Sequence, residues 1–132
     1  LPKDDPFRDR YVALLQEMAA AIKRIQGEDG LWRPSLLDAK EVPHPETSGS
    51  SFFCYALAWG INNGLLSKDE YLPVVKKAWQ GLSSWVTDEG KLQWVQPIGA
   101  APDKVTMGNY QEYGSGAFLL AGSEIYKLNI KP

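Results

Sequence analysis

Residues 50–63 read Ser-Ser-Phe-Phe-Cys-Tyr-Ala-Leu-Ala-Trp-Gly-Ile-Asn-Asn and carry no charged side chain. A helix made from this stretch has no polar face to turn towards water, so other elements must enclose it on all sides. It is also shorter than the roughly 20 apolar residues needed to cross a bilayer, which marks it as a core helix. The residues ahead of it, Glu46-Thr47-Ser48-Gly49-Ser50-Ser51, close a proline-rich loop with small hydroxyl side chains. Such residues start helices well. The junction leaves backbone N–H groups unpaired and sets a carboxylate beside them, which suits a polar ligand. It reads equally as a plain helix start whose small residues permit close packing. A second junction, Glu112-Tyr113-Gly114-Ser115-Gly116-Ala117-Phe118, opens another apolar run that continues to Ile125.

Amphipathic stretches alternate with these two. Over residues 7–26, Phe7, Tyr11, Leu14, Leu15, Met18, Ile22 and Ile25 recur at three- and four-residue spacing and predict a helix with one buried stripe. Pro6 suits the first turn, where its missing N–H would have had no partner. Gly27 and Asp29-Gly30 end this helix, with Asp29 forming a turn. Ser67-Lys68-Asp69-Glu70 reads as a capping box for a helix running to about Val86, with Val74, Val75, Ala78, Leu82 and Trp85 facing inward. Pro73 lies early in it and is expected to bend or tighten it. Residues 91–96 alternate weakly as a short extended piece, residues 97–109 form a loop with Gly99, Pro102 and Gly108, and a last helix covers residues 116–128.

Each half is thus an amphipathic helix, an acidic-Gly turn, a Trp-bearing loop, a Glu junction and an apolar helix. The turns Asp29-Gly30 and Glu89-Gly90 mark the repeat. The fold class is all-α, with repeated helical hairpins of outer, half-wetted helices around inner, apolar ones. Four helices cannot close such a double ring, so either the chain is part of a longer one or copies assemble to bury the inner helices.

The chemistry-bearing residues are few. Trp32 and Arg33 are adjacent on a loop stiffened by Pro34, Pro43 and Pro45 and form a candidate ligand-facing pair; Trp32 reads equally as a lid over helix ends. Glu46, Thr47 and Ser48 stand at the first junction, Tyr113 at the second, and Trp94 in the extended piece. His44 is the sole histidine and Cys54 the sole cysteine. No metal site, disulfide or cofactor is expected from them, and Cys54 reads as a buried, inert thiol. A net charge of −2 without a basic run gives no footprint for nucleic acid. Hydrophobic content of 44% and charged content of 23% describe a soluble globular domain, residues 1–132, rather than a membrane or disordered chain. The start Leu1-Pro2-Lys3-Asp4-Asp5 has neither initiator Met nor signal peptide, which reads as a processed or truncated product and leaves cytoplasm and periplasm both open.

Four segments carry a family likeness: Gly30-Leu31-Trp32-Arg33, Glu46-Thr47-Ser48-Gly49-Ser50, Tyr55-Ala56-Leu57-Ala58-Trp59-Gly60-Ile61 and Gly116-Ala117-Phe118-Leu119-Leu120-Ala121-Gly122-Ser123-Glu124. Together they resemble the unsaturated rhamnogalacturonyl hydrolases, which stand with the unsaturated glucuronyl hydrolases among enzymes degrading pectin and glycosaminoglycan fragments. The resemblance implies an (α/α)6 barrel of six hairpins, of which this chain would be the C-terminal third. It also implies an unusual reaction: an aspartic acid protonates C4 of a terminal unsaturated uronic acid, water adds at C5, and the hemiketal opens to expel the next sugar. Neither metal nor organic cofactor is implied. The family's catalytic aspartate, its substrate-binding His and its Arg-Gly-Asn-Gly-Trp segment lie upstream of the matching region, so no catalytic residue is assigned here. The expected contribution is cleft wall: Trp32 and Trp94 for stacking, Arg33 for a uronate, and Glu46, Thr47, Ser48 and Tyr113 around the inner helix starts. The partners implied are an oligosaccharide substrate and either the remainder of the barrel or a second copy. A non-catalytic carbohydrate-binding module and a helical interaction scaffold are the alternatives.

Overall fold

A computed structural model describes residues 1–99 and 105–129. Among them four helices follow one another: α1 (Arg8–Arg24), α2 (Thr47–Asn62), α3 (Lys68–Ser83) and α4 (Glu112–Lys127). Helix α2 is the centre. It packs mainly on α4 and next on α3, while α3 and α4 meet only slightly. Leu57 and Ala58 of α2, Val75, Ala78 and Leu82 of α3, and Ala121 and Ile125 of α4 are buried together, with Leu31 and Trp32 closing the core from the loop after α1.

Of the predicted inward stripe of α3, Val74, Val75, Ala78 and Leu82 are buried, whereas the helix ends at Ser83 and Trp85, beyond it, is half-buried. Two further details of this helix differ. Ser67 stands at the N-cap but its side chain makes no capping hydrogen bond, and the helix runs unbroken through Pro73. The preceding turn is pressed onto α3: Gly30 has φ +86°, and a Cβ there would come within 2.2 Å of the Lys77 carbonyl oxygen. Only glycine fits that approach. Asp29 holds the turn as expected, accepting from the Leu31 N–H at 3.1 Å.

Helix α1 departs from its expected burial. Ala19 and Ile22 are buried, whereas Phe7, Tyr11, Leu14, Met18 and Ile25 of the apolar stripe are exposed. The helix is tied to the core at its C-terminal end, where Gln26 donates to the carbonyls of Gly30 and Val74 and Lys23 pairs with Glu70 at 2.9 Å. Farther back, Gln16 reaches the Leu65 carbonyl, and Tyr11, Val12 and Leu15 face Trp59 and Leu65 across an open groove. The stripe is correctly placed on the helix, but no described element covers it. The same holds for α2, which is not enclosed all round: Cys54, Leu57, Ala58 and Ile61 are buried while Phe52 and Trp59 are exposed.

Residues 91–96 are not a strand. One antiparallel bridge joins Val86 to Leu92, and the chain then takes a left-handed turn at Trp94, φ +59°. This places Thr47 N–H on the Trp94 carbonyl, Trp94 N–H on Met107 and Val95 N–H on Asn109. The segment is thereby stitched to the start of α2 on one side and to the loop before α4 on the other. Of the predicted loop 97–109, residues 100–104, including Pro102, lie outside the described residues.

Candidate functional site

The start of α2 is built around Glu46. Its backbone is extended (φ −136°, ψ 109°), so its side chain folds back over the first turn. One carboxylate oxygen accepts from the Ser48 N–H (3.0 Å), the Ser48 hydroxyl (2.6 Å) and the Gln96 N–H (3.2 Å); the other accepts from the Gly49 N–H (2.6 Å). These are N–H groups that a helix start leaves unpaired, and a negative charge is favourable there. The expectation of free N–H groups for a ligand is therefore corrected. Glu46 fills that place itself and is buried in doing so.

Thr47 and Ser48 serve the same construction. Thr47 is fully buried, and its hydroxyl donates to the Gln93 carbonyl at 2.7 Å. Ser48 points to Glu46. From α4, Tyr113 donates its hydroxyl to the Gln96 carbonyl, joining the second junction to the loop that lines the first. Burial, and then the nearby charge of Glu46, raise the Tyr113 phenol above its ordinary range, so it stays a donor.

Around this junction opens a cleft of about 520 Å³. Its lining mixes polar residues, Glu46, Ser48, Gln96 and Tyr113, with apolar ones, Pro34, Phe52, Pro97 and Ile98. Among the described residues the buried Gln96 side-chain oxygen has no hydrogen-bond partner, and its amide nitrogen makes a 3.4 Å contact with the Pro97 carbonyl.

The structure brings Glu46, Ser48 and Tyr113 to this cleft and places Thr47 directly behind it. The other three candidates are elsewhere. Trp32 is 1% exposed, its ring edge-on to Phe53 and its indole N–H on the Ile22 carbonyl at 2.9 Å. The Ile22 carbonyl accepts from the Ile25 N–H as well, and the buried ring has no face open for a sugar. Arg33 is held by Asp29 through two contacts, 2.9 and 3.3 Å, rather than presented to a uronate. Trp94 stacks on His44 at 6.0 Å and meets Trp85 edge-on at 5.8 Å, so neighbours occupy its ring. Phe52, Gln96 and Ile98 were not singled out from the sequence. Phe52 stands one helical turn after Ser48, a spacing that shares a face and could have flagged it.

Among the described residues no cluster of three or more His, Cys, Asp or Glu could hold a metal, and no helix is long and apolar enough to cross a membrane. Cys54 is buried, and burial pushes its thiol up to about 12, so it stays protonated.

The four described helices share the fold of part of an (α/α)6 barrel, the architecture of the glycosyl hydrolase structures on which they superpose. Residues 1–129 match the profile of Glycosyl Hydrolase Family 88, and the chain belongs to that family. It is 48% identical to an unsaturated 3S-rhamnoglycuronyl hydrolase of Formosa agariphila, over 97% of this chain and 34% of that protein. A protein of the same name from an Alteromonas species is 44% identical, over 95% of this chain and 30% of its own length. Among solved structures, a glycosyl hydrolase family 88 protein from Bacteroides vulgatus superposes with a TM-score of 0.90 at 40% identity, covering 96% of this chain and 38% of that one. A possible GH105 member from Salmonella enterica, 23% identical, shares the fold with a TM-score of 0.84 over 98% of this chain and 35% of its own. The chain thus spans about a third of the length of the curated relatives it matches.

Proposed function

We propose that residues 1–132 are one domain, the C-terminal third of a glycoside hydrolase that acts on oligosaccharides ending in an unsaturated uronic acid. The observation that carries this reading is the 48% identity, along nearly the whole chain, to an unsaturated 3S-rhamnoglycuronyl hydrolase. That name favours a glycuronyl group joined to a rhamnose-type sugar as the parent's substrate, in line with the rhamnogalacturonan fragments that the sequence motifs suggest. The reaction is hydration of the C4=C5 double bond. A carboxylic acid protonates C4, water adds at C5, and the hemiketal opens to release the neighbouring sugar, so the glycosidic bond is not attacked directly. The proton donor belongs to the part of the parent outside this chain; Asp29, paired with Arg33, and Glu46, sealed at its helix start, are unsuited to it.

The experiment is turnover by the full-length gene product of an unsaturated glycuronyl-rhamnose disaccharide, followed as loss of the ultraviolet absorbance of the conjugated double bond. Loss of absorbance with release of the second sugar is the expected result. Binding without turnover would move the protein to the carbohydrate-binding reading.

The same reading assigns an occupant to the uncovered apolar surfaces. Phe7 at the N-cap of α1, Tyr11, Leu14 and Met18 within it, and Leu119 and Leu120 of α4 are all exposed in the chain alone. In the parent, neighbouring hairpins of the barrel cover them; in the isolated chain, a second copy does. A clean monomer of residues 1–132 in dilute sizing experiments would count against self-association.

A further inference from the structure

We propose, resting on the function just given, that Glu46 and Tyr113 are positioning residues: from two different helix starts they hold Gln96 by its two backbone groups and so fix the loop that borders the cleft. The observation is a convergence on one residue. The Gln96 N–H donates to the Glu46 carboxylate at 3.2 Å, and the Gln96 carbonyl accepts from the Tyr113 hydroxyl. Glu46 lies fifty residues before Gln96 and Tyr113 seventeen after it, so neither bond belongs to a local turn.

Both bonds go beyond what a helix start requires. Ser48 and Gly49 already give Glu46 its capping partners, and at the start of α4 the Gln111 carbonyl takes the N–H groups of Gly114 and Ser115 without Tyr113. What the two side chains add is a grip on the segment after Val86. That segment is stitched through Trp94 to Thr47 and Met107, and through Val95 to Asn109. Gln96 comes next, and beyond it Pro97 has no N–H to give. Gln96, Pro97, Ile98 and Gly99 in turn line the cleft. Their place relative to α2 and α4 is thus set through Gln96, by one carboxylate and one phenol. Glu46 is buried, so water competes little for its bond. Loosening either hold lets the loop leave the position in which it meets substrate. That weakens binding and leaves the chemical step alone, because the proton donor lies outside this chain.

The test is steady-state kinetics of the full-length protein on an unsaturated glycuronyl-rhamnose disaccharide, with thermal melting measured beside it. Tyr113→Phe and Glu46→Ala are each expected to raise KM by about threefold to tenfold, the worth of one hydrogen bond, with kcat close to wild type. Because both holds act on one residue, the double variant should raise KM by less than the product of the two single effects. A merely structural role predicts otherwise, since partial unfolding removes active enzyme and lowers kcat without raising KM. Gln26→Ala is the control: it frees the carbonyls of Gly30 and Val74, outside the cleft lining, and should lower the melting temperature with KM unchanged. An unchanged KM in Tyr113→Phe, an equal rise in Gln26→Ala, or a double variant equal to the product overturns the positioning role and leaves the hydrolase reading in place. Tyr113→Phe loses a single oxygen and decides the matter alone if Glu46→Ala does not fold. Absence of turnover by the wild type overturns the hydrolase reading and this inference with it.

Discussion

The two helix junctions look alike in letters and are built differently. At α2 the capping residue is Glu46, and its buried side chain supplies the hydrogen bonds that the first turn lacks. At α4 the capping residue is Gln111, whose side chain makes no such bond. The N–H groups of Gly114 and Ser115 reach its backbone carbonyl, and Glu112 stands exposed within the first turn. Counting from each cap, it is Gly49 and Gly114 that correspond, not the two glutamates. A Cβ at Gly49 would come within 2.7 Å of the Glu46 carboxylate, and one at Gly114 within 2.6 Å of a Val95 methyl. What repeats is a glycine that lets something approach the third helical position. In one copy that something is a capping carboxylate, in the other a hydrophobic side chain. The repetition is of packing, and only the first copy carries polar construction.

Breaking the first junction should have the largest effect. Glu46→Ala leaves the N–H groups of Ser48, Gly49 and Gln96 without their acceptor. We expect a loss of about 3 kcal/mol, above an ordinary cap because the acceptor is charged and buried, measured by urea unfolding of the full-length protein. Gly114→Ala probes the second junction and should destabilise by about 2 kcal/mol through overpacking against Val95, with no change in helix capping. Gly114→Ala combined with Val95→Ala should recover part of that loss, and no recovery would show that space is not what the glycine provides. Tyr113→Phe cuts the bond that joins the two junctions and should cost about 1 kcal/mol. It has a signature in pH as well. The folded-state phenol lies above its ordinary value, so its contribution is complete below the unfolded tyrosine pKa and fades as pH rises through the folded one. The phenylalanine variant should lack that alkaline decline. The smallest effect belongs to Glu112→Gln, about 0.5 kcal/mol from its interaction with the helix dipole and sensitive to salt. If Glu112→Gln proved as damaging as Glu46→Ala, the asymmetry described here would not hold.

The helices were legible because their apolar spacing is a local property. The stripe on α3 is visible in residues 74–82, and Val74, Val75, Ala78 and Leu82 are all buried in the shared core. The exposure of Phe7, Tyr11 and Leu14 was not legible, because spacing says which face is apolar and not whether a neighbour exists. In the site, Glu46 and Ser48 could be found as a helix start, but their role depended on Gln96, fifty residues on. Glutamate is also not among the residues that usually cap helices. The aromatics misled most. Trp32 beside Arg33 on a loop resembles a sugar platform, yet its ring is buried in the core and its indole N–H is on the Ile22 carbonyl. Trp94 was judged as an element of an extended piece, and nothing local announces its left-handed backbone or the His44 and Trp85 rings around it.

The way α1 is fastened has a consequence for amide hydrogen exchange. Its last turns are held by buried Ala19 and Ile22 and by Gln26, whereas its first turns meet Trp59 and Leu65 only across an open groove. A helix of 17 residues is marginal without tertiary support, so its N–H protons should exchange along a gradient, fast at Tyr11 and slow at Ile22. The steepness of that gradient reports occupancy: a neighbour seated on Phe7, Tyr11 and Leu14 would flatten it.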